Sequence, residues 1–513
     1  MIREILQFFC PPTPDDYSPR ITGLWLCLLC AVFALPSIAQ TQGDDLRVLS
    51  TLKLDRKEPK PLWFEFVPSD GGLVTISYMS RRSSREIGLY KYNANFERTW
   101  REMIFENSRN TKIEYLAVVQ GLIYVFTSRR DAKDDVNELW VYSYELNGRQ
   151  AAKPQVVHRQ PTSRSDYEVR FSKSLNKRQL LVYIDRNTRA ENELIDYFIF
   201  GGAAFPSEEG TLKVPYPDDD FEIREIAISG EKDLYLLGRY NKGGRVRAPQ
   251  DLSYTVFYKP LSSKRLFEYK IADDERFLTT LKLKISREGQ AMLGGFFSYR
   301  SPSQIVGTVY ARIPVDTLDA IRSAELTFHE LDNAFLQRYL RPRQLNKGQE
   351  LEDFYLDKLI LRSDGGMLML AEEYYVQQST FRNMNGMWIT QRIYHYNDIM
   401  VVSLAPGGGI EWVTAVPKMQ SDDDPQELSY AAFAGAQGLF LFYKSRERGT
   451  GANVFVRQVD INGDLSLPRP FFERYRTNDV FYRGACEQIS NASGVVVFYQ
   501  SRGKLFTMLK IGF

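Results

Sequence analysis

The chain has 513 residues, of which 43% are hydrophobic and 25% are charged, an ordinary balance for a soluble globular protein. Its 66 basic and 64 acidic residues give a net charge of +2, which argues against nucleic-acid binding driven by bulk charge, so no nucleic-acid partner is expected. Aromatic residues make up 13% of the chain, and this favours strands over helices.

The first 39 residues are typical of an export signal. Arg20 precedes an apolar run from Ile21 to Pro36, and Ser37-Ile38-Ala39 has the small-x-small form of a cleavage site. We therefore expect a signal peptide over 1–39, a secreted or periplasmic mature chain, and no transmembrane span after cleavage; the alternative is an uncleaved N-terminal anchor. Cleavage would leave Cys486 as the single cysteine, in a strand-like segment where a buried, inert thiol is expected.

The remainder of the chain, 40–513, repeats one pattern eight times. A polar turn is followed by a short apolar strand that often ends in a Ser-Arg or Asp-Arg pair. The eight strands are LVTISYMSRR (73–82), LIYVFTSRR (122–130), LLVYIDR (180–186), LYLLGRY (234–240), AMLGGFFSYR (291–300), MLMLAEEYY (367–375), LFLFYKSR (439–446) and VVVFYQSR (495–502). Each is the second of four strand-like segments in its repeat, and self-similarity at roughly fifty residues indicates a solenoid or a propeller.

The two ends of the repeated region complement each other. The eighth repeat ends at Phe513 without a fourth strand, and LRVLSTLKL (46–54) supplies a spare strand at the other end. Completing the last blade with that strand closes the ring and removes the exposed edge that an open array would leave. We predict an all-β fold, a single β-propeller of eight four-stranded blades closed by the N-terminal strand; seven blades is the alternative if one repeat is miscounted.

Two segments depart from the repeat. LDNAFLQRYL (331–340), between repeats five and six, is compatible with a short surface helix. Repeat six carries a long insertion between its second and third strands, VQQSTFRNMNGMWITQRIYHYND (376–398), which we predict to be a hairpin. The eighth repeat is expected to begin with one strand, VFYRGACEQI (480–489).

Charged residues recur at one end of the repeats. Seven of the eight second strands end at or near an arginine: Arg81, Arg129, Arg186, Arg239, Arg300, Arg446 and Arg502. Most connections into first strands carry acid, as at Asp166, Asp218–Asp220, Asp273-Asp274 and Asp422–Asp424. We predict arginine–carboxylate pairs that join neighbouring blades. The alternative is a charged mouth that binds an ionic ligand or a metal.

Repeat six alone lacks that arginine, and a ligand site should break the symmetry of the repeats. We predict that its aromatic hairpin is the recognition surface, because loops on a rigid scaffold carry function. The predicted binding residues are Tyr374, Tyr375, Trp388, Tyr394, His395 and Tyr396, with Trp388 and Tyr396 as anchors. Aromatic groups with polar tips suit sugars, peptides or a partner protein. The alternative is a hairpin that covers the channel mouth as a structural lid.

Common catalytic and cofactor motifs do not occur in this sequence. There is no G-x-S-x-G, no P-loop and no dinucleotide fingerprint, and the three histidines form no pair with metal-ligand spacing. The aspartate triplets at 218–220 and 422–424 lack the spacing of a calcium loop and are interpreted as solvated turns. We expect no catalytic residue, no cofactor and no metal.

The stretch YHYNDIMVVSLAPGGGIEWVTAVPKMQ (394–420) resembles a segment of uncharacterised secreted bacterial propeller-like proteins, in which an apolar strand, a glycine turn and a strand ending in K-x-Q recur. The resemblance implies export and a propeller, and it implies no activity.

We predict a non-enzymatic secreted or periplasmic binding or assembly module, with an unknown protein or glycan partner at the cell envelope. The alternative is a secreted carbohydrate-active hydrolase or lyase with its site at the channel mouth. That alternative requires charged side chains of the first strands to lie together in one cluster from which water is excluded. Examples of these side chains are Glu65, Glu114, Arg170 and Arg224.

Overall fold

The computed structural model describes residues 46–54, 60–78, 86–105, 111–131, 133–162, 168–186, 191–241, 243–244, 246–313, 322–323, 325–382, 386–447, 451–471, 479–500 and 506–513. The predicted signal peptide, 1–39, lies outside these residues. No helix among them is long and apolar enough to cross a membrane.

Strands dominate the described residues and form eight sheets of four or five strands each, numbered here in chain order. The strand that comes first in the described chain, β1 (Arg47–Leu54), belongs to sheet 8. Sheet 1 contains β2 (Pro61–Phe66), β3 (Leu73–Tyr78), β4 (Ile87–Tyr92) and β5 (Arg98–Phe105). Sheet 2 contains β6 (Thr111–Val119), β7 (Leu122–Asp131), β8 (Val136–Glu145) and β9 (Gln155–Pro161). Sheet 3 contains β10 (Val169–Lys173), β11 (Leu180–Asp185), β12 (Asn192–Phe200) and β13 (Glu208–Pro217).

The next three sheets carry small additions to the four-stranded unit. Sheet 4 contains β14 (Phe221–Ile228), β15 (Leu234–Asn241), β16 (Leu252–Lys259) and β17 (Phe267–Ile271), with β22 (Arg322–Ser323) on its outer edge. Sheet 5 contains β18 (Phe277–Ile285), β19 (Ala291–Ser298), β21 (Gly307–Ile313) and β23 (Leu326–Glu330), while β20 (Gln304–Ile305) pairs with β24 (Leu351–Glu352). Sheet 6 contains β25 (Phe354–Leu361), β26 (Met367–Arg382), β27 (Trp388–Leu404) and β28 (Ile410–Val416), with β29 (Gln420–Asp422) on β27.

Sheet 7 contains β30 (Tyr430–Gly435), β31 (Gly438–Glu447), β32 (Gly451–Val459) and β33 (Arg469–Pro470). Sheet 8 contains β34 (Asp479–Phe481), β35 (Glu487–Ser490), β36 (Ser493–Gln500), β37 (Phe506–Gly512) and β1. Two short helices, α1 (Asn333–Leu336) and α2 (Pro342–Leu345), lie between sheets 5 and 6. Single 3₁₀ turns occur at Asp218–Asp220, Pro249–Asp251, Pro425–Glu427 and Arg483–Ala485.

The second strand of each sheet is apolar on both faces because both faces are covered. Successive side chains of a strand point to opposite faces. In β3, Leu73 packs toward sheet 8, whereas Val74 and Ile76 pack toward sheet 2, and all three are fully buried. Such strands read as continuous apolar runs rather than as alternating patterns, which is why these segments stand out in the sequence.

Eight apolar clusters join the sheets in a closed cycle. Each cluster is built from two consecutive sheets, from the one shared by sheets 1 and 2 to the one shared by sheets 7 and 8. The last cluster joins sheet 8 to sheet 1, with Val495 and Met508 on one side and Tyr90 and Phe66 on the other. Consecutive sheets packed face to face around a ring are the architecture of a β-propeller, so the predicted fold class is confirmed.

The predicted closing strand is also confirmed. β1 pairs antiparallel with β37 from Arg47↔Gly512 to Leu54↔Phe506, with one bulge near Val48. Leu52 and Leu54 are buried in the cluster between sheets 8 and 1. The last sheet is therefore completed by β1, which pairs alongside four strands from the other end of the described chain.

Three predicted elements differ in the structure. The helix predicted over 331–340 is the single turn α1, and its Phe335 and Leu336 are buried against sheet 6 rather than exposed. The single strand predicted over 480–489 is interrupted by the 3₁₀ turn Arg483–Ala485 between β34 and β35. The insertion at 376–398 is a lengthening of β26 and β27 themselves: the register shifts once, between Glu372 and Tyr374, and then runs outward without a break from Tyr374↔Tyr396.

The rim arginines form ion pairs inside their own sheets, so the prediction that they join neighbouring blades is wrong for those described. Arg129 lies 2.9 Å from Glu138, Arg186 lies 2.6 Å from Asp196, and Arg239 lies 2.5 Å from Glu222. Each acid lies on a strand next to that of its arginine, where opposed side chains are close. The guanidinium of Arg300 donates instead to the carbonyl of Lys347. The side chains of Arg81, Arg446 and Arg502 lie outside the described set.

One contact does cross between sheets at this rim. His158 of β9 lies 3.1 Å from Asp196 of β12, which links sheet 2 to sheet 3. Burial disfavours the charge of Asp196, but hydrogen bonds from His158, Arg186 and Thr211 outweigh burial and hold the pKa of Asp196 well below its usual value.

Candidate functional site

The lengthened hairpin of sheet 6 forms a two-stranded ribbon beyond the rest of its sheet. Pairing of β25 with β26 begins at Phe354↔Glu373, and β28 leaves β27 at Ile399↔Val416. The ribbon continues from Tyr374↔Tyr396 to Arg382↔Trp388. Its residues are largely β-branched, aromatic or polar, as suits an exposed strand. At its tip Gly386 has φ +77°, a conformation that favours glycine, and its carbonyl accepts a 2.8 Å hydrogen bond from Arg382.

The register divides the six predicted binding residues between the two faces of the ribbon. Directly opposed residues share a face, and neighbours along a strand alternate. Tyr374, Tyr394, Tyr396 and Trp388 therefore lie on one face, with Val376 among them. Tyr375 and His395 lie on the other face, where their rings stack with centroids 4.5 Å apart. The structure does not bring the six residues together into one pocket.

The two predicted anchors also differ in their surroundings. Trp388 is at the tip with 72% of its surface exposed. Tyr396 is at the base, where its ring lies 4.7 Å from that of Tyr374 and 5.4 Å below the guanidinium of Arg483. Eight residues of extended strand separate Trp388 from Tyr396, about 27 Å. One small ligand cannot contact both Trp388 and Tyr396. Either an extended partner contacts both residues, or the two residues have different roles.

A groove runs along the outer edge of β27. It has a volume of about 590 Å³ and is lined by Phe381, Ile389, Thr390, Gln391, Arg392, Tyr394 and Asp423. β29 pairs with β27 only at Tyr394–Tyr396. Within the described chain no strand pairs with this edge at 388–393, so the groove continues the line of β29 along backbone groups that have no strand partner.

A buried ion pair fixes the base of the ribbon. Lys418 Nζ lies 2.6 Å from the Glu372 carboxylate, and both side chains are at least 95% buried. Lys418 also donates to the carbonyl of Tyr396 and to Gln420, both at 2.9 Å. Ser429 Oγ donates to Glu372 at 2.5 Å. Burial lowers the pKa of Lys418 and raises that of Glu372, and their mutual attraction opposes both shifts.

The sequence carries one signal for this pair. Lys418 and Gln420 are the K-x-Q of the segment 394–420, two residues apart and therefore on one face of an extended chain. Gln420 donates to the carbonyl of Lys444 at 2.6 Å and accepts from the Ser429 backbone at 2.6 Å, and so it ties sheet 6 to sheet 7. This explains the motif as a structural joint below the ribbon.

Charges of the first strands do not converge as the enzyme alternative requires. Glu114 binds Lys112 and Ser128 within sheet 2, Arg170 binds Glu168, and Arg224 binds Glu222. Of these four residues, only Glu65 belongs to a buried charged cluster. Lys173 of sheet 3 lies 2.5 Å from its carboxylate, and both side chains are mostly buried.

Glu65 is the most perturbed acid of that group. Burial raises its pKa to about 7, with the neighbouring Glu487 adding to the shift and Lys173 opposing it. Tyr115 stacks on Phe171 at 4.4 Å, and its ring lies 5.5 Å from Lys173 Nζ. A cleft of about 550 Å³ lies among the turns that follow the first strands of sheets 1 to 3, and its lining includes Val67, Gln120 and Lys177.

Cys486 matches the expectation of an inert thiol. It donates to the carbonyl of Tyr482 at 3.4 Å, and burial raises the pKa of its thiol to about 12. A thiol that stays protonated at neutral pH is a poor nucleophile.

Comparisons with known proteins add only a resemblance in fold. No family model matches the chain, and no curated protein matches it. Among solved structures it is similar to Saccharomyces cerevisiae Sqt1, with a TM-score of 0.40, 8% identity, and coverage of 90% of this chain and 99% of that one. The β-propeller domain of the Trilobed protease from Pyrococcus furiosus gives a TM-score of 0.36 and 9% identity over 78% of this chain and 93% of that one. Prolyl oligopeptidase B from Galerina marginata gives a TM-score of 0.40 and 10% identity. The alignment covers 87% of this chain and 56% of that one.

Proposed function

We propose that this propeller is a protein-binding module, and that its ribbon binds an extended polypeptide segment of a partner by adding a strand to the outer edge of β27. The observation that carries this proposal is the edge at 388–393, which has a strand partner on one side only within the described chain and borders a groove of about 590 Å³. Backbone donors and acceptors along an open edge provide affinity, and pockets for alternate side chains provide specificity.

The dimensions of the ribbon favour a polypeptide over a sugar. Apolar exposure extends along its whole length, with Val376 41% exposed, Phe381 46% and Trp388 72%. A strand laid along β27 would pass Tyr394 and Ile389 and reach the tip. A single sugar ring would cover only one end of that surface.

The charges of the groove define the partner further. Arg392 and Asp423 both line it, so a guest strand that carries both signs of charge between apolar residues is favoured over a uniformly charged one. The proposed location, secreted or periplasmic, rests on the sequence of 20–39, and with that location the partner is a protein of the cell envelope or its surroundings.

The proposal is tested by selecting peptides from a random displayed library on the full chain and measuring their affinity for variants. Ile389→Ala and Trp388→Ala are each expected to weaken binding at least about tenfold, as the loss of an anchor does. Val376→Ala is the matched control, because Val376 is exposed on the same ribbon but lies on β26, away from the edge of β27 at 388–393.

Strand addition has its own signature in this experiment. A selected peptide that is N-methylated at alternate residues keeps its side chains but loses backbone donors, and it is expected to lose binding. Unchanged affinity after N-methylation refutes strand addition. Unchanged affinity in both Ile389→Ala and Trp388→Ala, with a lowered melting temperature, makes the ribbon a structural lid.

Glu65 supports a second candidate, the carbohydrate-active enzyme. A buried carboxyl with a pKa of about 7 is what a general acid requires, and Val67, two residues further along the chain, lines the cleft. On that hypothesis the wild type cleaves a member of a polysaccharide panel and Glu65→Gln does not. If the wild type cleaves no polysaccharide of the panel, the raised pKa of Glu65 does not indicate a catalytic role in carbohydrate cleavage.

A further inference from the structure

Three carboxylates from separate segments meet at the rim between sheets 3 and 4. Asp185 ends β11, Glu193 lies near the start of β12, and Asp218 opens the 3₁₀ turn that leads into sheet 4. One carboxylate oxygen from each lies within 4.8 Å of the other two. Asp218 belongs to the aspartate triplet 218–220, whose own spacing gave no metal loop.

Local backbone features hold the three groups in place. The register between β12 and β13 shifts between Asn192 and Leu194: Glu193 alone stands opposite three residues of β13, 214–216, so the bulge is on β13. A bulge disrupts the ladder locally, so Glu193 lies where the pairing of β12 with β13 is interrupted. The backbone N–H of Asp218 donates to the carbonyl of Glu191 at 2.9 Å, which ties the 3₁₀ turn to the start of β12.

Glu193 is buried in a way that no cation in the described chain explains. It is 1% exposed, and its Oε1 has no hydrogen-bond partner among the described residues. The other buried acids considered above each have a basic partner within 3 Å: Lys173 for Glu65, Lys418 for Glu372, and Arg186 for Asp196. A buried carboxylate without such a partner is costly. Burial first, and then the nearby Asp185 and Asp218, raise the pKa of Glu193 to about 9.

We propose that Asp185, Glu193 and Asp218 bind a divalent cation of the oxygen-preferring class, Ca²⁺ in the first instance. Carboxylate oxygens with no nitrogen or sulfur donor suit Ca²⁺, Mg²⁺ and Mn²⁺. A dication placed among the three groups would offset their mutual repulsion and occupy the free oxygen of Glu193. It would also link the β11–β12 hairpin of sheet 3 to the segment that begins sheet 4.

The test is calorimetric titration of the full chain, freed of metal by a chelator, with CaCl₂, MgCl₂ and MnCl₂ separately. We expect one site per chain for the preferred cation, with a Kd in the micromolar to millimolar range, about 10⁻⁶ to 10⁻³ M. Glu193→Gln and Asp218→Asn are each expected to weaken binding at least tenfold. Glu193→Gln keeps the shape of the side chain and should leave the metal-free melting temperature unchanged or higher.

Asp219→Asn is the matched control, because Asp219 is an exposed neighbour in the same triplet that does not join the three groups. It should keep the wild-type affinity within about twofold. A second readout is thermal unfolding, in which the preferred cation should raise the melting temperature of the wild type and of Asp219→Asn by about 2 °C or more at a hundredfold excess over Kd. The proposal is overturned if none of the three cations binds at about 10 mM, if Glu193→Gln binds as the wild type does, or if Asp219→Asn loses as much affinity as Asp218→Asn.

Discussion

The closing strand β1 provides the sharpest test of how the ring is held together. Leu54 is 4% exposed and packs in the cluster that joins sheet 8 to sheet 1, where it is opposite Phe506. Truncation of a buried leucine removes its transfer free energy and leaves a cavity, and such changes cost about 2–5 kcal/mol. Since β1 is at the edge of its sheet and can partly collapse onto the gap, we expect Leu54→Ala to lower the free energy of unfolding by about 2–4 kcal/mol.

Leu49→Ala is the control, because Leu49 lies on the same strand but is 53% exposed. It should change stability by no more than about 0.5 kcal/mol. The measurement is urea unfolding followed by tryptophan fluorescence, with the midpoints of the two variants and the wild type compared. Removal of 46–54 should have a larger effect, since it uncovers β37, and light scattering should then detect association through the exposed edge. The reasoning fails if Leu54→Ala is no more destabilising than Leu49→Ala.

Two further predictions concern buried acids. Asp196→Asn should lower the free energy of unfolding at pH 7 by about 2–3 kcal/mol, and this difference should shrink progressively as the pH falls from about 4 to 2. The reason is that a carboxyl with a lowered folded pKa contributes stability above its unfolded pKa and loses that contribution as the pH falls. An equal difference at both pH values would contradict the ion-pair explanation. For Glu65 the dependence of stability on pH has the opposite sign. Between pH 4.5 and about 7 the folded chain keeps a proton that the unfolded chain has released. The wild type should therefore lose stability relative to Glu65→Gln as the pH rises through this window, and a difference that does not change with pH would show that Glu65 is not perturbed.

Sequence alone was sufficient for the repeated architecture. A strand that is covered on both faces is predominantly apolar rather than alternating, so segments such as 73–78 and 234–238 are visible without any structure. The spare strand at 46–54 and the incomplete eighth repeat predicted the pairing of β1 with β37, since a strand added there covers an edge that would otherwise be exposed. The hairpin in repeat six was predicted from the length of the insertion at 376–398 between the second and third strands of that repeat.

Contacts across strands and between sheets were decided by the tertiary structure. The register of β26 on β27 separates Tyr375 and His395 from Trp388, and a shift of one residue in that register would have exchanged the faces. Glu372 and Lys418 are 46 positions apart in sequence, and Asp218 meets Asp185 and Glu193 only because the end of β13 returns to the start of β12. The period of a strand is local and can be read from neighbouring residues, whereas the partner of a buried charge depends on how separate strands are aligned, and no single segment of the chain contains that information.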